Sequence, residues 1–255
     1  MELASEISHL EEKLGFKFLK YDRIDGGGFD SEKYLITSSN GKYLHKIYLK
    51  PFLSEHFDFL FSLRDVGFPS QFPLAKDPFV FRGRPSVVYT YTDGNIKLPL
   101  NDEDVASVAK LLAIWHALGS KYVSSIGKDY GLTMVHGDFH PGHLVTNEKG
   151  LNFIDCDRIG VRHPAKDIGS FLFYNALGSF SNPEVNIKAQ AILFIEKYMA
   201  ASQFEIKFMD VYPYLNRVAS NFLVRSCELG ISPKKINKRE KISESIIQLI
   251  SSLGR

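Results

Sequence analysis

Cysteine is scarce in this chain: Cys156 and Cys227 are the only two among 255 residues. Neither has metal-ligand spacing, which excludes a disulfide framework and a thiolate metal centre and fits a reducing compartment. Long apolar runs are missing too. None approaches the roughly 18 residues that a spanning helix needs. The start, Met1-Glu2-Leu3-Ala4-Ser5-Glu6, is acidic and amphipathic and lacks a charged-then-apolar signal pattern, so a cytoplasmic protein is expected. Charge of one sign is not in excess: 31 Lys and Arg against 29 Asp and Glu leave a formal net charge of +2, too little for a nucleic-acid binder. The run Lys234, Lys235, Lys238, Arg239 reads as a solvated entry to a helix. No internal repeat or low-complexity stretch is visible.

What is present is enough apolar material, 44% of residues, for a sizeable core. Ile7, Leu10 and Leu14 recur at helical spacing, and Gly15 ends that helix. Then the period changes. Residues 33–37 and 42–48 are strand-like around Asn40-Gly41, a hairpin signal. Ahead of them lies Asp25-Gly26-Gly27-Gly28-Phe29. Ser54 is placed to cap a helix running to Val66. Residues 79–81 and 86–91 read as two strands about an Arg82-Gly83-Arg84 turn. Beyond Asp93-Gly94 the chain becomes helical. Asn101 caps a helix whose acidic first turn suits the dipole, with Gly119 as its expected C-cap. Further helices are expected at 184–202, 214–229 and 240–253. The pattern predicts an α+β protein of two lobes, a sheet-rich one over residues 1–92 and a helical one over 93–255.

The chemistry concentrates between the helices. Met134-Val135-His136-Gly137-Asp138-Phe139-His140-Pro141-Gly142-His143 is followed by Asn152-Phe153-Ile154-Asp155-Cys156-Asp157. Each stretch runs from an apolar strand into a polar turn, and Asn147-Glu148-Lys149-Gly150 joins them. Such a hairpin would hold Asp138, His143 and Asp155 at one edge. Metal-assisted phosphoryl transfer uses this set: one carboxylate orients the attacking hydroxyl, and another holds the cation on the phosphates.

His136 to His143 resembles the catalytic loop of the aminoglycoside phosphotransferase family. Ile154-Asp155-Cys156-Asp157 is similar to that family's metal-binding segment, and Pro164-Ala165-Lys166-Asp167-Ile168-Gly169 to the step after it. The Gly142-His143 pair most resembles the macrolide branch. Kinases of lipopolysaccharide sugars have a similar His-containing pattern. The resemblance implies a two-lobed protein-kinase-like fold that binds ATP or GTP with Mg²⁺ or Mn²⁺ in a cleft and phosphorylates a hydroxyl of a small molecule. It further implies Asp138 as the catalytic carboxylate and Asp155 and His143 as metal ligands. Lys46 would pair with the phosphates and with Glu55, Asp58 being the other candidate on that helix. Gly26, Gly27 and Gly28 would approach the phosphates, and Thr90 and Thr92 would offer backbone groups to the base. His136 and Asp167 would support the loop.

At His143 most of the family has Asn. Three readings stand: a neutral ring nitrogen ligates the cation, the ring contacts phosphate or a metal-bound water, or the site is degraded and the chain is a nucleotide-binding pseudokinase. A protein kinase fits less well, because Asp155-Cys156-Asp157 replaces Asp-Phe-Gly and no long activation segment follows. The C-terminal third is not acidic, which disfavours a cationic aminoglycoside as acceptor. A sugar, an amino alcohol or a macrolide-like antibiotic stays open.

Overall fold

The computed structural model describes residues 2–24, 30–50, 56–96, 98–128 and 131–254. Gly26, Gly27, Gly28, Ser54 and Glu55 therefore lie outside the described residues. The chain divides into two compact units, Met1–Asp93 and Gly94–Arg255.

In the N-terminal unit, helix α1 (Glu2–Leu14) precedes five antiparallel strands. These are β1 (Phe18–Arg23), β2 (Ser31–Ser38), β3 (Gly41–Tyr48), β4 (Phe79–Phe81) and β5 (Arg84–Thr90), in the order β1-β2-β3-β5-β4. Helix α2 (Phe57–Asp65) comes between β3 and β4. The hairpin turn falls one residue earlier than its sequence signal. Ser38 pairs with Gly41, so Ser39 and Asn40 form the loop and Gly41 opens β3 at φ 129°. Leu10 of α1 packs with Tyr34, Ile36, Ile47, Phe81 and Val88, which gives the sheet one dry face. The end of β3 is buried on both faces, and Lys46 is 0% exposed there, opposite Val87 on β5.

The C-terminal unit is mostly helical: α3 (Asp102–Ser125), α4 (Ala165–Ser179), α5 (Ile187–Ala201), α6 (Phe208–Glu228) and α7 (Pro233–Ser251). Two short ladders sit among them. β6 (Thr133–Val135) pairs with β9 (Gly160–Arg162), and β7 (Leu144–Asn147) pairs with β8 (Gly150–Phe153). Asn101 caps α3 with a reciprocal capping box to Asp104.

Several sequence expectations need correction here. Gly119 is no C-cap. It lies buried inside α3, where an added Cβ would meet Thr133 Oγ1 at 2.5 Å, so it lets the helix approach β6. Helix α4 went unpredicted because eleven of its fifteen residues are buried, which erases any one-sided period. Helix α6 starts six residues before 214 and carries Pro213 inside it, a residue that normally argues for a boundary. Helix α7 starts at Pro233 rather than 240, with the proline in the first turn, where its missing N–H is harmless.

Gly119→Ala should destabilise the fold by about 1–3 kcal/mol through overpacking, despite its gain in helix propensity. Gly178→Ala, in α4 with open space around it, should be neutral or stabilising by up to about 1 kcal/mol. Urea midpoints of the two variants measure the contrast.

Candidate active site

The site grows from β6, a strand whose three residues are all buried. Trp115 Nε1–H donates to the Met134 carbonyl at 2.8 Å, and Thr133 Oγ1–H to the His116 carbonyl at 2.6 Å, which fastens the strand to α3. Past Val135 the backbone turns sharply. Gly137 adopts φ +87°, and a Cβ there would lie 1.9 Å from the Arg158 carbonyl oxygen, so only glycine fits.

Asp167, in the first turn of α4 and 0% exposed, holds this turn. Its Oδ2 accepts the His136 N–H at 2.7 Å, and its Oδ1 accepts the Gly137 N–H at 2.9 Å. His116 Nε2–H donates to Oδ2 at 3.2 Å. Burial pulls the Asp167 carboxyl upward, but the His116 hydrogen bond and the nearby His116, His136 and Lys166 outweigh it and hold the group below its ordinary range. Lys166 donates from Nζ to the Gly137 carbonyl, and burial lowers its own pKa. His136 donates from Nε2 to the Ile154 carbonyl at 2.9 Å and is held neutral, chiefly by burial.

Asp138 follows, half-buried. One turn of 3₁₀ helix, Pro141–His143, then feeds β7. His143 Nδ1 lies 2.8 Å from the Asp138 carbonyl oxygen. A carbonyl only accepts, so Nδ1 carries a proton, and in the neutral form of the ring the lone pair lies on Nε2. That nitrogen is 3.6 Å from Asp155 Oδ2. The Ile154 N–H donates to the His143 carbonyl at 3.0 Å, at the open end of the β7–β8 hairpin, which carries Asp155 beside the ring. Asp155 itself is left-handed, φ 62°, a strain that Asp bears better than most residues.

Asp138, His140 and His143 each offer a ligand atom, all within 4.8 Å of one another. The sequence pattern gave His140 no role. Its Nδ1 accepts the Gly142 N–H at 3.0 Å, so its proton sits on Nε2. Burial, helped by His143, pushes the His140 ring down to about 4. The rings of His140 and His143 lie 3.8 Å apart, and Tyr174 packs 5.1 Å from His140. Tyr174 was also missed, since it sits on the unpredicted α4. With His140 Nδ1 already engaged by Gly142, the groups left to meet a cation are the Asp138 and Asp155 carboxylates and His143 Nε2, a mixed oxygen and nitrogen set that fits a divalent cation of borderline hardness.

In the N-terminal unit, Lys46 Nζ lies 5.1 Å from the Tyr89 ring centroid. Lys42 and Lys50, of the same strand parity, are exposed and pair with Asp93 and Asp30. Thr90 does not offer its N–H to a ligand: it donates to the Phe72 carbonyl at 2.8 Å, and its carbonyl accepts from Gln71 Nε2 at 3.1 Å. Thr92 lies past the end of β5.

Residues 129–201 match APH, the phosphotransferase enzyme family. The APH segment contains the whole of the loop, the β7–β8 hairpin, Asp155 and α4, the family its motifs resemble. No curated protein matches the sequence. Solved APH-like and kinase structures share the fold across nearly the whole chain. Amicoumacin kinase hAmiN, solved with AMP-PNP, Ca²⁺ and its antibiotic, superposes with a TM-score of 0.70 at 13% identity, covering 94% of this chain and 92% of its own. Spectinomycin phosphotransferase APH(9)-Ia, solved with ADP and spectinomycin, gives 0.66 at 13% identity and covers 98% of both chains. Choline kinase from Cryptosporidium parvum Iowa II gives 0.62 at 13% identity, covering 92% and 89%. The fold is therefore the two-lobed, protein-kinase-like α+β fold.

Asp167→Ala should lower the unfolding free energy by about 3–5 kcal/mol at pH 7, because two loop N–H groups and His116 lose their buried anion. The folded carboxyl titrates below its unfolded value, near pH 4. Its contribution is complete above that value and is lost as acid titrates through the folded one. Urea midpoints should therefore differ most at neutral pH and draw together only as the pH falls below about 4.

Proposed function

We propose that this protein transfers the γ-phosphoryl group of ATP or GTP to a hydroxyl of a small molecule. The observation that carries this reading is the convergence of Asp138, His143 and Asp155 on one braced turn. Asp138 orients the acceptor hydroxyl and accepts its proton as the new P–O bond forms to the γ-phosphorus and the bond from that phosphorus to the β,γ-bridging oxygen breaks, releasing ADP or GDP. His143, through the lone pair on Nε2, and Asp155 hold the divalent cation, Mg²⁺ or Mn²⁺. When bound, that cation offsets the charge of the phosphates. The nitrogen ligand makes Mn²⁺ the better-matched ion of the two.

His136 and Asp167 keep the Asp138 backbone in place and do not touch substrate. In the N-terminal unit, Lys46 supplies a buried cation for the nucleotide phosphates. Burial of a lysine against Tyr89, beside two exposed lysines of the same strand parity, supports that assignment. Thr92 offers backbone groups to the base, and Thr90, whose N–H is engaged by Phe72, has a carbonyl lone pair left to offer.

Turnover should be measured with ATP and GTP, Mg²⁺ and Mn²⁺, across sugars, amino alcohols and macrolide antibiotics. One acceptor should stimulate phosphate transfer, and Asp138→Ala should reduce that transfer by about 10²–10⁴-fold while leaving nucleotide affinity within a few-fold. Nucleotide binding without Asp138-dependent transfer to any acceptor would turn the reading to a pseudokinase.

The metal assignment has its own readout. His143→Ala should weaken Mn²⁺ binding at least about tenfold in an EPR titration. His143→Asn should retain Mg²⁺-dependent turnover, because it restores an oxygen ligand. A dead Asn variant beside an active wild type would remove His143 from the ligand set.

A further inference from the structure

A concave pocket of about 460 Å³ opens on the C-terminal unit between Phe180, at the end of α4, and one face of α7. Lys234, Lys238 and Lys241 line it, with Asn237 and Ile242. The lysines fall at i, i+4 and i+7 and so stack along a single helix face. Three features of this face bear on what it could hold.

The first is missing counter-charge. Lys17, Lys20, Lys42, Lys50 and Lys76 each pair with a carboxylate. Among the described residues, the three pocket lysines pair with none. The second is their place on the helix. The first turn of α7 has no acidic residue, and Lys234 stands there against the positive end of the helix dipole. An anion set between the lysines would meet three positive groups and the positive end of the helix dipole together. The third is the apolar wall. Phe180 is 40% exposed, and Ile242 lies on the same side as the lysines.

We propose that this pocket binds an organic anion: a phosphate or carboxylate held by Lys234, Lys238 and Lys241, with a ring or short apolar portion against Phe180 and Ile242. Nothing in this site uses Asp138 or His143, and it stands whether or not the chain transfers phosphate.

Phenyl phosphate and inorganic phosphate serve as probes in isothermal titration calorimetry. Phenyl phosphate should bind saturably, and more weakly as NaCl rises. Lys238→Glu or Lys241→Glu should lower its affinity at least tenfold. Lys235→Glu, on the same helix but outside the pocket, should change it less than twofold. Phe180→Ala should weaken phenyl phosphate and leave inorganic phosphate unchanged. Circular dichroism melts check that these surface variants stay folded. Absence of saturable binding would overturn the proposal, as would equal losses for Lys235→Glu and Lys238→Glu, which would mean diffuse attraction only. If an acceptor is found by the turnover screen, a raised KM at unchanged kcat in Lys238→Glu would place the acceptor's own anionic group here; an unchanged KM would make the pocket a separate site.

Discussion

The Asp167 carboxylate is the constraint on which the site depends. It is fully buried, and it stays ionised because two backbone N–H groups and an imidazole aim at it. Those N–H groups belong to the two residues before Asp138, so the position of the Asp138 backbone is set from α4. Gly137 completes the brace from the other side, pressed against the Arg158 backbone. Helix α4 is in turn packed on α6, where Gly169 lets the two backbones come close. The chain of support runs from helix packing to one anion, from that anion to a turn, and from the turn to the chemistry.

Electrostatics within the loop follow the same logic. Burial keeps His136 and His140 neutral, and a carbonyl fixes the proton of His143 on Nδ1. Uncharged His136 and His140 leave the negative charge of Asp138 and Asp155 unopposed. Charged rings would have competed with a cation for the carboxylates.

Much of this was legible in the sequence where the local rules are strict. Period-two alternation and an Asn-Gly signal located β2 and β3, and an Asn with an acid three residues on located the start of α3. The motif spacing located Asp138, His143, Asp155 and Asp167. The failures have physical causes. Helix α4 is buried nearly all round, so it has no polar face to set a period, and Tyr174 was lost with it. Gly119 looked like a terminator because glycine usually ends helices, whereas here a neighbouring strand needs the missing side chain. His140 carried no signal, because its place in the cluster depends on how one turn folds back on itself.

Lys46 carries a further consequence. Its ammonium is fully withdrawn from solvent in a strand whose neighbours His45, Ile47 and Tyr48 are all buried. Carrying a charge into so dry a layer costs desolvation that a hydrocarbon of the same length would not incur, whatever partner offsets it. At this one position, what burial favours and what holding a charge requires are opposed.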